Sequence, residues 1–140
     1  MSLERTLFIV KPDAVQRNLI GRIVAEVEER GFRVVEARFT QLTREECQTF
    51  YGEHAGKPFF NELVQYMTSG PVLLTCLERE NAVATLRELI GATDPAQAAP
   101  GTIRKLYGES KGRNTVHASD SVASAEREVK LFFGVAALAR

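Results

Sequence analysis

Hydrophobic residues along the chain alternate between two spacings, and the switches mark the elements. Thr6 to Val10 is a short β-prone apolar run. Lys11 follows it and precedes Pro12; a residue before proline is held extended, and proline is tolerated in a first helical turn. Lys11 is therefore expected at the mouth of a strand, directly before a helix. Ile20, Ile23, Val24 and Val27 recur at helical spacing, with Gly31 as the stop. Arg33 to Thr40 alternates apolar and polar and predicts a half-buried strand with Val35, Ala37 and Phe39 on one side. Thr43 with Glu46 is a capping-box pattern opening a helix toward Tyr51. Lys57 to Met67 predicts another helix with Pro58 in its first turn. After the break at Ser69-Gly70-Pro71, Val72 to Leu77 is nearly all apolar, as a central strand would be. Val83, Leu86, Leu89 and Ile90 mark a helix ending near Gly91, and 92–102 reads as an irregular loop. Thr115 to Ala118 is a short extended piece. Ser121 can cap a last helix whose apolar stripe is Val122, Ala125, Val129, Phe132 and Ala136.

The resulting order, β, α, β, α, β, α, β, α, predicts a sheet covered by helices. Periodicity alone does not separate a ferredoxin-like antiparallel sheet from a parallel doubly wound one. No internal repeat or long linker interrupts the pattern, so residues 1–140 are expected to form one domain.

Composition narrows the function classes. Eighteen basic and eighteen acidic residues cancel, which disfavours a general nucleic-acid coat protein or a membrane-surface binder. The stretch Met1 to Ala14 carries charges at Glu4, Arg5 and Lys11 around a short apolar run, so it reads as neither signal peptide nor membrane span. Cys47 and Cys76 have no metal-type or redox-type spacing, and Cys76 lies in the apolar run VLLTCL, as a buried thiol would. A reducing cytoplasm is the simplest compartment.

The common phosphate loops are absent: there is neither G-x-x-x-x-G-K-[ST] nor G-x-G-x-x-G, so side chains must hold any bound nucleotide. H-E-x-x-H and clustered Cys/His ligands are absent too. Arg30-Gly31-Phe32-Arg33-Val34-Val35 faintly matches an RNA-stacking strand but lacks its aromatic pair, and Gly31 is better read as a helix stop. Between Gly101 and Asn114, Arg104, Lys105, Lys111 and Arg113 face only Glu109. Such a run is by default a solvated loop. Here it leads directly into Asn114-Thr115-Val116-His117, and a positive field beside a nucleophile is what a polyphosphate substrate requires. Of the two histidines, His54 sits in a polar stretch and reads as a surface residue. His117 lies between a short strand and a capped helix. A neutral imidazole can attack phosphorus without first losing a proton.

Together these segments resemble the nucleoside diphosphate kinase family over nearly the whole chain. The resemblance is carried, in order, by Glu4-Arg5-Thr6, Lys11-Pro12-Asp13, Gly56-Lys-Pro-Phe-Phe60, Met67-Thr-Ser-Gly-Pro71, Gly91-Ala-Thr-Asp-Pro95, Gly101-Thr-Ile-Arg104 and Asn114-Thr-Val-His-Ala-Ser-Asp-Ser121. It implies an α+β fold with a ferredoxin-like βαββαβ core and an antiparallel sheet. It implies ping-pong transfer of a γ-phosphate from a nucleoside triphosphate to a nucleoside diphosphate through a phosphohistidine at His117. Glu128, supported by Ser119, would orient the imidazole; from helical position alone Glu128 reads as a solvated residue pointing away from the apolar stripe. Lys11, Tyr51, Arg87, Thr93 and Arg104 match phosphate-contacting positions, where positioning and charge neutralisation supply most of the catalysis. Phe59 and Leu63, four apart on one helix face, match a base clamp, and Asn114 with Lys11 matches the sugar contacts. A clamp that stacks without reading base edges tolerates any base.

Two departures stand out. Ala14 and Ala118 occupy positions that are Gly in many members, so Ala118 must use ordinary dihedrals. Lys111 occupies a position near the base that is often apolar. The resemblance further implies Mg²⁺ carried mainly by nucleotide phosphates, with Asp120 reached through water, and a tetramer or hexamer built from dimers. The competing class is a non-catalytic regulatory or nucleic-acid-binding module on the same fold.

Overall fold

The computed structural model describes residues 3–138. Its strands are β1 (Leu3–Val10), β2 (Arg33–Thr40), β3 (Val72–Glu80) and β4 (Val116–Ala118), and its helices are α1 (Pro12–Gln16), α2 (Ile20–Glu29), α3 (Arg44–Phe50), α4 (Phe60–Met67), α5 (Ala82–Ile90), α6 (Ile103–Tyr107) and α7 (Val122–Phe133). The strands form one sheet in the order β2-β3-β1-β4, with every neighbouring pair antiparallel. This is the ferredoxin-like α+β arrangement, and it resolves the parallel alternative that periodicity leaves open. The simple alternation is elaborated: two helices, not one, fill each connection before β4.

Strand β1 is central, and its last five residues are fully buried on both sides. One face carries Phe8, Val10, Leu77 and Val116 and packs against Ala14, Ile23, Val27, Leu86 and Ile103 of α1, α2, α5 and α6. The other carries Leu7, Ile9, Leu74 and Cys76 and packs against Cys47, Phe50, Val64, Val129 and Phe132 of α3, α4 and α7. Neighbouring residues of a strand face opposite layers. His117, between Val116 and Ala118 of the first layer, therefore faces the layer of α3, α4 and α7.

Local chemistry sets most boundaries. Thr43 and Glu46 close the expected reciprocal box at the start of α3, and Ser121 caps α7 through the Ser124 amide. Other boundaries depart from expectation. Helix α4 begins at Phe60, not Lys57: Gly56 takes φ +87°, Lys57 and Phe60 donate to carbonyls three residues back, and the first helical bond runs from Leu63 to the Phe59 carbonyl. Pro58 thus sits in the preceding turn. Within the stretch read as a basic loop, Thr102 accepts from the Lys105 amide and starts α6. Helix α7 stops at Phe133 because Gly134 turns to φ +85°, which leaves Ala136 exposed in a short 3-10 turn. Strand β2 lies at the sheet edge with a bulge at Val34/Glu36, and its expected half-buried face is largely open, with Phe39 58% exposed. Among the described residues, no helix is long and apolar enough to cross a membrane.

Candidate active site

A cleft of about 950 Å³ opens beside β4, between the α3–α4 pair and the 91–114 segment. Its lining includes all of the residues singled out from sequence except Ser119: Lys11, Tyr51, Phe59, Leu63, Arg87, Thr93, Arg104, Asn114, His117, Asp120 and Glu128. Ser119 lies just behind, fully buried.

His117 is the centre of the polar geometry. Its Nε2 lies 2.9 Å from Glu128 Oε1, and the Ser119 hydroxyl donates to the same oxygen at 2.7 Å. Ser119 Oγ in turn accepts from the Leu7 amide at 3.4 Å, which ties the group to β1. A carboxylate only accepts, so the imidazole proton sits on Nε2 and Nδ1 keeps its lone pair. The Phe50 ring meets the imidazole edge-on at 5.0 Å between centroids and fixes its plane. Burial depresses the His117 pKa below its ordinary 6.5; Glu128 opposes this, and Lys11 and Arg104 reinforce it. The ring is therefore neutral at pH 7.

Glu128 is 6% exposed, so the solvated reading from helical position fails. It lies three residues after buried Ala125 and four before buried Phe132, which places it on the inward face of α7. The spacing of Glu128 from Ala125 and Phe132 carries that signal in the sequence, whereas Val122, the first residue of the expected apolar stripe, is 49% exposed.

Two cations are buried beside the histidine. Lys11, at the end of β1, donates from Nζ to Asn114 Oδ1 at 2.8 Å. Burial, with the charge of Arg104, lowers its pKa to about 8. Arg104 donates to the carbonyls of Asn114, Gly91 and Val116 at 3.3, 3.1 and 2.8 Å. Burial first, then Arg87, lowers its pKa to about 10, and it remains charged at neutral pH. Arg87 approaches the Ala118 carbonyl at 3.5 Å from the last turn of α5. Asn114 donates to the Thr93 carbonyl at 3.1 Å, linking both sides of the cleft. Tyr51 is buried, and burial pushes its phenol pKa well up, so it stays a neutral O–H.

The approach to His117 contains a strained turn. Thr115 holds φ +79°, and the Val116 amide donates across it to the Asn114 carbonyl at 2.8 Å. This is a γ-turn, rare for any residue and rarer for a β-branched one. Ala118 is not among the described residues with positive φ, so its methyl is accommodated by ordinary dihedrals.

At the open end, Phe59 is 47% exposed and presents a ring beside Leu63. Lys111 also lines the cleft there. His54 does not behave as the expected surface residue: it lines the cleft, its ring lies 5.5 Å from Phe59 and 6.3 Å from Tyr51, and its Nδ1 is buried without a hydrogen-bond partner. Tyr66, one turn beyond Leu63 on α4, also lines the wall and was not singled out from sequence, although its spacing from Leu63 pointed to it.

The acidic lining consists of Glu62, Asp120 and Glu128, and among the described residues no group of three metal-ligating side chains forms a cage. Asp120 is exposed, and a side-chain hydrogen bond from Ser124 holds its carboxyl below the usual range, so it is ionised at the cleft edge.

The family model described as nucleoside diphosphate kinase matches residues 4–138. A nucleoside diphosphate kinase of Sorangium cellulosum is 56% identical over 133 residues, covering 95% of this chain and 92% of the relative. One from Methylobacterium radiotolerans is 55% identical, with 95% of each chain covered. Among solved structures, the nucleoside diphosphate kinase of Aquifex aeolicus superposes with a TM-score of 0.94 at 41% identity, covering 98% of this chain and 99% of its own. The halophilic nucleoside diphosphate kinase of Halobacterium salinarum, solved in complex with CDP, also gives 0.94, at 45% identity and with 99% and 93% covered.

Proposed function

The chain belongs to the nucleoside diphosphate kinase family and transfers phosphate from a nucleoside triphosphate to a nucleoside diphosphate, and we propose that it does so in two half-reactions through a phosphohistidine at His117. The observation that carries this reading is the neutral His117 ring, with Nε2 committed to Glu128 2.9 Å away, facing a cleft that also holds Lys11, Arg87 and Arg104.

In the first half-reaction the Nδ1 lone pair attacks the γ-phosphorus. An N–P bond forms, the P–O bond to the β-phosphate breaks, and its electron pair leaves on the diphosphate oxygen. In the second, a terminal oxygen of the acceptor diphosphate attacks the same phosphorus, and the N–P electrons return to Nδ1. No proton need leave the ring, because the tautomer set by Glu128 already frees the attacking nitrogen. Glu128 and Ser119 orient the ring and stabilise the positive charge it gains. Lys11, Arg87, Arg104, Thr93 and the Tyr51 hydroxyl suit the phosphate oxygens, since phosphoryl transfer rests mainly on positioning and charge. Phe59 and Leu63 stack the base, and Asn114 with Lys11 holds the sugar.

Mg²⁺ is expected to enter with the triphosphate, where it neutralises phosphate charge, with Asp120 reached through water. Residues 1–140 are taken as one catalytic domain, acting in a homo-oligomer of dimers and in the cytoplasm. The test is GTP formation from ATP and GDP with Mg²⁺, alongside His117→Ala. Label from [γ-³²P]ATP should remain on the wild type in an acid-labile, alkali-stable bond and be absent from the variant. A folded His117→Ala that keeps its rate would remove the histidine from the mechanism.

A further inference from the structure

A buried carboxylate behind the cleft is not used by the chemistry above. Asp13, in the first turn of α1, is 2% exposed and does not line the cleft. Its Oδ1 accepts from the Tyr66 hydroxyl of α4. Its Oδ2 accepts from the Thr115 hydroxyl at 3.3 Å and from Arg17 Nη2 at 3.4 Å. The same arginine nitrogen lies 2.5 Å from the Tyr107 carbonyl at the end of α6.

These partners belong to opposite walls. Tyr66 lies one turn after Leu63 on the helix that bears the base-stacking side. Thr115 is the strained residue between Asn114 and the strand of His117, and its carbonyl accepts from the Lys11 amide at 2.9 Å. Asp13 therefore joins, through one carboxylate, the helix that holds the base and the turn that holds the sugar and phosphates. A buried carboxylate is costly unless its oxygens are filled, and here both are filled by groups from the two walls. A γ-turn at a β-branched residue also persists only when its surroundings over-determine it, and the Thr115 hydroxyl bond to Asp13 is one of those constraints.

We propose that Asp13 is a positioning residue that sets the width of the nucleotide cleft by bridging Tyr66 and Thr115. This rests on the assignment of Phe59, Leu63, Lys11 and Asn114 as nucleotide contacts. Cutting either arm of the bridge should loosen nucleotide binding without touching the phosphorus chemistry.

The experiment is steady-state kinetics with ATP and GDP on Tyr66→Phe, Thr115→Val and the double variant, with thermal melting of each. Both substitutions keep the shape of the side chain and delete one donor. Each single variant should raise KM for both nucleotides about tenfold, with kcat within about twofold, because the bridge orients the walls and not the histidine. The double variant should be little worse than either single one, since both cut the same bridge. KM values within twofold of wild type, even with a lowered melting temperature, would reduce Asp13 to a structural group and overturn the proposal. A double variant whose KM is the product of the two single effects would overturn it as well. Failure of the underlying assignment reads differently: Phe59→Ala would then leave KM unchanged whatever the bridge variants do.

Discussion

His117 Nε2 and Glu128 Oε1 stand 2.9 Å apart, and the Glu128 oxygen is held at the same time by the Ser119 hydroxyl. In the proposed mechanism the carboxylate has two jobs: it fixes the proton on Nε2, and it balances the charge that would appear when Nδ1 takes phosphorus. Glu128→Ala removes both. We expect kcat to fall roughly 10- to 100-fold with little change in KM, because the lost interaction strengthens only as the ring becomes charged. Single-turnover labelling of His117 should slow by the same factor. A normal labelling rate would mean that Phe50 packing alone orients the ring.

Lys11 gives a pH dependence of definite sign. Its pKa is about 8 in the fold against 10.5 for an ordinary lysine. Above about pH 8 it loses the charge that suits it to phosphate, so nucleotide KM should rise there, well below the range of a free lysine. The stability effect runs the other way. Holding the ammonium buried destabilises the fold below about pH 8, and this cost disappears as pH rises toward 10.5. The gap corresponds to about 3 kcal/mol, and the hydrogen bond to Asn114 offsets about 1 kcal/mol of what its removal would gain. Lys11→Met should therefore be inactive yet more resistant to urea than wild type at pH 7. The two urea midpoints should converge near pH 10. A variant less stable than wild type at pH 7 would contradict this account.

Gly91 links backbone geometry to Arg104. It ends α5 at φ +86° and ψ −176°, a region essentially restricted to glycine, and its carbonyl accepts from Arg104 Nη1 at 3.1 Å. A methyl group added there would meet Thr102 Oγ1 at 2.6 Å and its Cβ at 2.7 Å. Gly91→Ala should cost about 2–4 kcal/mol in urea unfolding, from the dihedral and the clash together. It should also raise KM for both nucleotides, because the carbonyl that aims Arg104 moves. Unchanged KM in a destabilised variant would separate the turn from the site.

Much of this architecture was legible because it is written locally. The Thr43/Glu46 box, the Ser121 cap, the apolar run of β3 and the pre-proline Lys11 each encode their element within a few residues. What was not legible depends on distant partners. Helix α6 has a local start signal in Thr102, but it is only five residues long and is held by burial of Ile103 and Arg104, which the basic run around them does not announce. His54 sits in a polar stretch, yet Tyr51 and Phe59 fold around it. The antiparallel order of the sheet is set by which strands pair, and hydrophobic spacing carries no such information. The seven family segments carried it instead, since they placed Lys11, Arg104 and His117 in one site across more than a hundred residues.

The acidic groups around the cleft bear on the metal. Glu128 is committed to His117 and Ser119, which leaves Asp120 and Glu62, and two carboxylates do not make a cage for a hard cation that favours six oxygen ligands. Calorimetric titration of the nucleotide-free protein with MgCl₂ should therefore give no saturable heat at millimolar concentrations. The same titration in the presence of ADP should saturate, and chelation by EDTA should abolish GTP formation from ATP and GDP. Asp120→Asn should raise the Mg²⁺ concentration needed for half-maximal rate several-fold and leave the rate at saturating metal close to wild type, since the residue would act through water. Saturable binding without nucleotide would instead assign Asp120 to a resident site, and the metal would then belong to the protein, not to the substrate.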